Sequence, residues 1–163
     1  MLPPTVTDAA ITSEIEGAMA WAVRHGIDLT ARMPKERVLR VVLVQNRSQE
    51  KFFLQGQFDQ YKALPPVWDW RDANWSDSSR LYLSPKPENT PFGSSMFLVQ
   101  NNKAIICAPF NRLAFNSHGG PHSDWGEPTQ WMTAGNGYVY AVTIGDMLQA
   151  ILRDFRCTKE RMG

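Results

Sequence analysis

Cys107 follows the apolar run Ala104, Ile105 and Ile106 and precedes a stretch dense in polar and aromatic groups: Asn111, Arg112, Asn116, His118, His122, Asp124 and Trp125. A thiol in such company can act as a nucleophile, because its thiolate attacks acyl carbons and a nearby imidazole can take up the proton it sheds. His118 and His122 are the candidate bases, and Asp124 can orient the second of them. The bland reading stays open beside it: free cysteine is among the most buried residue types and packs as a small hydrophobe. The histidines admit a metal reading as well, yet Gly119, Gly120 and Pro121 between them make a bend rather than the one-face geometry of a helical pair, and no metal is expected. Cys157 has the opposite profile. It lies among Arg153, Arg156 and Lys159 with no polar constellation around it, and is read as incidental.

The chain has 163 residues, enough for one domain with a sizeable core and too few for two ordinary ones, so 1–163 is read as a single domain. Lys plus Arg number 17 against 16 Asp plus Glu, a net charge of +1, so no overall field draws nucleic acid or an anionic membrane. Any partner must be recognised locally. The two cysteines match neither a disulfide scaffold nor a zinc spacing, and Met1 to Asp8 lacks a basic segment followed by an apolar one, which points to free thiols in a reducing cytoplasm. No apolar stretch approaches the roughly 20 residues that span a bilayer.

The elements that must position Cys107 follow from periodicity and punctuation. Ile11, Ile15, Ala18 with Met19, and Ala22 with Val23 recur at helical spacing; Thr7 or Asp8 can cap the start and Gly26 can end the helix in a left-handed conformation, with His25 favourably placed beside that end. Val38 to Val44 is nearly continuous and mostly β-branched, a central strand. Asn46 to Lys51 then forms a hairpin turn, Phe52 to Phe58 a second strand, and Tyr61 to Trp70 an extended segment in which Pro65 and Pro66 forbid a helix. Arg71 to Ser95 is irregular, but Trp75, Leu81, Tyr82, Leu83 and Phe92 predict that it packs as an ordered loop. Met96 to Val99 and Ala104 to Cys107 read as a hairpin whose turn holds Asn101 and Asn102. Thr143 caps an amphipathic helix of Ile144, Met147, Leu148, Ile151, Leu152 and Phe155, and Thr158 to Gly163 is a charged tail expected to fray. The fold class is α+β: helix, antiparallel meander, irregular flap with the cysteine, helix.

That order, with Phe58, Asp59, Gln60, Tyr61, Lys62, Ala63, Leu64, Pro65, Pro66 and Val67, then Asn101 to Cys107, Trp125 or Trp131, and the helix from Ile144, resembles the ubiquitin-conjugating enzyme family over residues 8 to 156. The resemblance implies a four-stranded meander, a thioester formed with a ubiquitin-like protein on Cys107, an activating enzyme that delivers it, and a target protein whose amine receives it. The family's His-Pro-Asn tripeptide before the cysteine has no counterpart here, where Ser94, Ser95, Met96, Phe97, Leu98 and Val99 stand. The chain therefore looks like a divergent bacterial member of a ubiquitin-like conjugation system, with His118 or His122 in place of the missing group, His122 preferred because of Asp124. Asn101 and Asn102 are turn residues that can also support an oxyanion. In the family the first helix docks the activating enzyme, which makes Thr12, Glu16 and Arg24 candidate contacts. Two alternatives stand beside this reading: an inactive binding module of the same fold with a structural Cys107, and an unrelated Cys-His hydrolase, for which no recognisable nucleophile signature is present. Trp68, Trp70 and Trp75 can line a groove, but Trp68 or Trp70 is read as core.

Overall fold

The structure, a computed structural model, describes residues 7–32, 35–78, 80–91, 93–133 and 141–163. Helix α1 (Asp8–His25) starts where the Thr7 hydroxyl accepts from the Ala10 N–H (3.3 Å) and stops at Gly26, whose φ of 64° turns the chain out of the helix. Its buried stripe is Ile11, Ile15, Ala18, Trp21 and Ala22, the helical spacing expected of one core-facing side.

Four strands follow as an antiparallel meander in sequence order: β1 (Asp28–Arg32), β2 (Val38–Val44), β3 (Lys51–Gln57) and β4 (Val67–Arg71). The register aligns the inner face in rows: Leu43 opposite Phe52, Val41 opposite Leu54 opposite Trp70, and Leu39 opposite Gly56 opposite Trp68. Gly56 is glycine because a Cβ there would meet Phe58 and Trp68 ring carbons at 2.8 Å. Its bare backbone lets both rings reach the core.

Helix α2 (Ile144–Phe155), capped by the Thr143 hydroxyl accepting from Asp146 N–H (3.2 Å), lays its apolar side on that face. Phe155 packs against Phe52 (ring centroids 5.5 Å) and Trp70 (6.1 Å), and the Trp21 indole N–H donates to Gln149 (2.7 Å) to tie α1 to α2. A two-stranded hairpin, β5 (Phe97–Gln100) and β6 (Lys103–Ile106), abuts β4 through Phe97 on Trp70 (5.4 Å). Asn101 and Asn102 form its turn with φ of 51° and 58°, the paired left-handed conformations of a two-residue hairpin loop.

The helices, the central strand, the meander and the hairpin match the expectations. Two features differ. Tyr61 to Leu64 is turn and not extended, with Tyr61 N–H donating to the Phe58 carbonyl (3.3 Å) and Leu64 N–H to the Gln60 carbonyl (2.8 Å), so the extended run before Trp70 begins only after the Pro-Pro pair, at Val67. β1 is the fourth strand of the meander that the resemblance implies, and no residue pattern marks its place, because with only Leu29 and Ala31 apolar it is a short edge strand whose outward side is polar. The tail at Thr158 to Gly163 is held rather than frayed: Gln45 donates to the Thr158 hydroxyl (2.9 Å), Met162 N–H donates to the Ser84 carbonyl (2.9 Å), and Arg161 pairs with Glu50 (2.8 Å) while its guanidinium lies 4.1 Å over Phe52. Charge in the tail marks partners, not solvation. The segment from Asp72 to Met96 is ordered where described, with a short 3-10 turn at Leu81–Leu83 against that tail; Phe92 and residues 134–140 lie outside the described residues.

Candidate active site

Cys107 comes directly after β6, and its placement is set by three backbone anchors. Its own N–H donates to the Met96 carbonyl (2.6 Å), which extends the hairpin by one step. Asn111, fully buried, donates to the Ile106 carbonyl (2.8 Å) and the Trp68 carbonyl (3.0 Å) and accepts from Trp68 N–H (3.0 Å) and Leu113 N–H (3.3 Å). Every polar atom of that amide is used, as a buried amide requires. Arg112, also buried, donates to the Pro65 carbonyl (3.1 Å) and to Asp59 (3.1 Å), and its N–H donates to the Pro66 carbonyl (2.9 Å). Thus the Pro-Pro segment and the stretch after the cysteine are stitched together. In sequence Asn111 and Arg112 are only two more polar residues after the thiol; their signal is that they interrupt a run otherwise made of Ala108, Phe110, Leu113, Ala114 and Phe115.

Residues 115 to 122 then close on themselves and return to the strand end. Asn116 N–H donates to the His122 carbonyl (3.0 Å), His122 N–H to the Ala114 carbonyl (3.2 Å), and Gly120 N–H to the Phe115 carbonyl (2.9 Å). The closure is so tight that a Cβ on Gly120 would lie 2.2 Å from the Ala114 carbonyl carbon and 2.3 Å from the Leu113 oxygen. Only glycine fits there.

The closure delivers His122 to the thiol: Nε2 lies 2.7 Å from Cys107 Sγ, and Nδ1 lies 3.1 Å from Asp124 Oδ1. A neutral imidazole has one donor and one acceptor, and an ionised carboxylate only accepts, so Nδ1–H donates to Asp124 and Nε2 is left to accept from Sγ–H. The ring plane is fixed from its face by Trp125, stacked at 3.6 Å with an interplanar angle of 5° and itself braced by Phe115 at 5.3 Å. Cys107 is only 8% exposed; burial first, and the Asp124 carboxylate second, push its thiol up to about 12. At rest the site therefore holds a neutral thiol hydrogen-bonded to an oriented base. In that tautomer the geometry permits transfer of the thiol proton to Nε2, with Asp124 beside the ring that receives it.

Of the site residues read from the sequence, Cys107, His122 and Asp124 are brought together. His118 is not: it is exposed, its Nδ1 lies 3.2 Å from the Ser117 hydroxyl, and it belongs to the outward side of the loop. Nor are Asn101 and Asn102, which sit exposed in the turn at the far end of the hairpin, five residues of strand or about 16 Å from the thiol at roughly 3.3 Å per residue. Their oxyanion role is corrected to a turn role. Thr12, Glu16 and Arg24 are exposed on the outer side of α1. Cys157 is half-buried, with its Sγ donating to the Arg153 carbonyl (3.6 Å), an ordinary helix-end contact. Among the described residues no group of three or more His, Cys, Asp and Glu side chains is arranged to hold a metal ion, and no helix is long and apolar enough to cross a membrane.

Comparison of the chain with protein-family models, with curated proteins and with solved structures found no match.

Proposed function

We propose that this chain is a conjugating enzyme that accepts a ubiquitin-like protein as a thioester on Cys107 and passes it to an amine of a target protein. The observation that carries the proposal is the Sγ to Nε2 contact of 2.7 Å with Nδ1 held by Asp124, a nucleophile and a base already in line. The helix, meander, hairpin and helix order adds support, since it agrees with the layout that the resemblance implies.

The chemistry needs little more. Cys107 loses its proton to His122 and attacks the carbonyl of a thioester on the activating enzyme; the carbon–sulfur bond to that enzyme breaks, and the imidazolium returns the proton to the departing thiolate. In the second step the target amine attacks the Cys107 thioester, an amide forms, and His122 moves the amine's proton to the Cys107 sulfur. His122 and Asp124 thus supply the group that the absent tripeptide leaves unfilled. A working free thiol also suits a reducing compartment such as the cytoplasm.

The test is incubation with an activating enzyme, ATP and a ubiquitin-like protein. An adduct on Cys107 that a reducing agent removes is expected; no adduct with a partner set that charges other conjugating enzymes of the same system overturns the proposal. The second reading, a thiol hydrolase, draws on the same relay of thiol, imidazole and carboxylate. It requires turnover of small thioesters or activated esters without an activating enzyme or ATP, and an adduct that forms only with both excludes it.

A further inference from the structure

One carboxylate on α2 is out of place by composition. The buried stripe of that helix is Ile144, Met147, Leu148, Ala150, Ile151, Leu152 and Phe155, and Asp154 lies within it, 1% exposed. A charge taken out of water persists only where it is paired or hydrogen-bonded. One oxygen of Asp154 is 3.2 Å from Arg153 Nε, its neighbour in the helix; the other accepts from the Met96 N–H at 2.8 Å. Met96 is the residue whose carbonyl accepts from the Cys107 N–H at 2.6 Å. Met96 is therefore held on both sides of its Cα, its N–H by the α2 carboxylate and its carbonyl, in the next peptide unit, by the Cys107 N–H.

From this arrangement we infer that Asp154 is a positioning residue of the active site: by fixing Met96 at its N–H it fixes where β5 begins, and so the place of the Met96 carbonyl that holds the Cys107 N–H and sets Cys107 Sγ beside His122 Nε2. It rests on the reading of Cys107 and His122 as the reactive pair, and makes no use of what the acyl group is. The anchors of the thiol then come from two directions. Asn111 holds the strand end through the Ile106 carbonyl from the sheet side, and Asp154 holds it through Met96 from the helix side. Both act on a strand end that the β5–β6 ladder already carries as far as Ile106, and they bear on the last step, from Ile106 to Cys107, where the 2.7 Å contact to His122 is set. A merely space-filling role would be served better by an apolar side chain, as at every other buried position of that stripe.

The test is a double-mutant cycle between positions 154 and 122, read as alkylation of Cys107 by iodoacetamide at pH 7 to 8 in the full chain carrying Cys157→Ala. With Asp154 present, His122→Ala is expected to slow alkylation by about tenfold, since the base no longer draws the thiol proton. In an Asp154→Leu chain the same His122→Ala change is expected to cost less than about twofold, because the pair is already misaligned; such non-additivity is the mark of coupled residues. Leu152→Ala, which loosens buried α2 but leaves the Asp154 to Met96 bond in place, should keep the full effect of His122→Ala. A His122 effect of equal size with Asp154 in place and in the Asp154→Leu chain overturns the inference, as does loss of the effect in the Leu152→Ala control. Should Asp154→Leu not fold, Asp154→Asn carries the test. Its neutral amide weakens the bond, so amide hydrogen exchange at Met96 and Cys107 should quicken together while the His122 effect shrinks; unchanged exchange at Met96, or quickened exchange with an unchanged His122 effect, overturns it. Coupling in this cycle without any thioester in the charging assay leaves the positioning role standing and removes the conjugating function.

Discussion

The two thiols of this chain occupy sites built from opposite principles. Cys157 lies just past the end of α2, half-buried, with a helix carbonyl for company and cationic neighbours in sequence. Cys107 lies at a strand end, nearly buried, with an imidazole on its sulfur, a carboxylate behind the imidazole and an indole against its face. Nothing about cysteine itself separates the two. The difference is that a loop closed by Gly120 and an amide at Asn111 are spent on one of them and not on the other.

The hardest way to break this comparison is to exchange the roles. Cys107→Ala should lose the reducible adduct altogether, whereas Cys157→Ala should charge at the wild-type rate; gel shift under non-reducing conditions reads both, and equal charging of the two variants breaks the comparison. Next in size is the histidine contrast. Removing His122 should slow discharge of a preformed Cys107 thioester to lysine by roughly 10²–10⁴-fold, the range for a positioned acid or base. His118→Ala should discharge within about twofold of wild type, since that ring faces solvent. Equal effects of the two, followed across pH 6 to 9, would mean that the loop works as a whole and not through one imidazole.

Gly120→Ala probes the closure without touching a reactive group. With backbone atoms at 2.2 to 2.4 Å from the added carbon, the loop must shift, at a cost of at least the roughly 1–3 kcal/mol typical of overpacking. Urea unfolding should show that loss, and alkylation should show His122 uncoupled from Cys107; a Gly119→Ala variant gives no such clash, its cost coming only from a φ of 80°.

Smaller still is a pH effect. Burial raises the Cys107 pKa to about 12 from 9.0, so between those values the folded chain holds a proton that the unfolded chain has released. Stability is therefore full below about pH 9 and falls as pH rises toward 12. Cys107→Ala should flatten that decline in chemical denaturation between pH 8 and 10.5, and Cys157→Ala should leave it in place. The smallest expected change in stability, under about 0.5 kcal/mol, belongs to reversing Glu16 and Arg24 together on exposed α1. That pair should slow charging by the activating enzyme while leaving lysine discharge alone; unchanged charging kinetics take this face out of the docking account.

Periodicity alone made the two helices, the central strand and the hairpin readable, because each buries one side at its own spacing: Ile11, Ile15 and Ala18 in α1, Leu39, Val41 and Leu43 in β2, and the stripe from Ile144 to Phe155 in α2. Local chemistry did the same for the Thr7, Gly26 and Thr143 caps and for the Asn101 and Asn102 turn. It also named Cys107, His122 and Asp124, from residue types that carry reactivity and from a spacing of two between base and carboxylate. Sequence preferred His122 to His118 for its neighbour Asp124 but could not decide between them, because Gly119, Gly120 and Pro121 announce a bend without saying which side of it faces inward. Tertiary structure decided that, through the bond from His122 N–H to Ala114 and the Gly120 closure. Tertiary structure also moved Asn101 and Asn102 to the wrong end of the hairpin for chemistry, tied down the charged tail and gave buried partners to Asn111, Arg112 and Asp154. A polar residue in a one-dimensional pattern carries no mark of its partner. Its bond exists only when distant segments meet, here Asp154 with Met96 across fifty-eight positions.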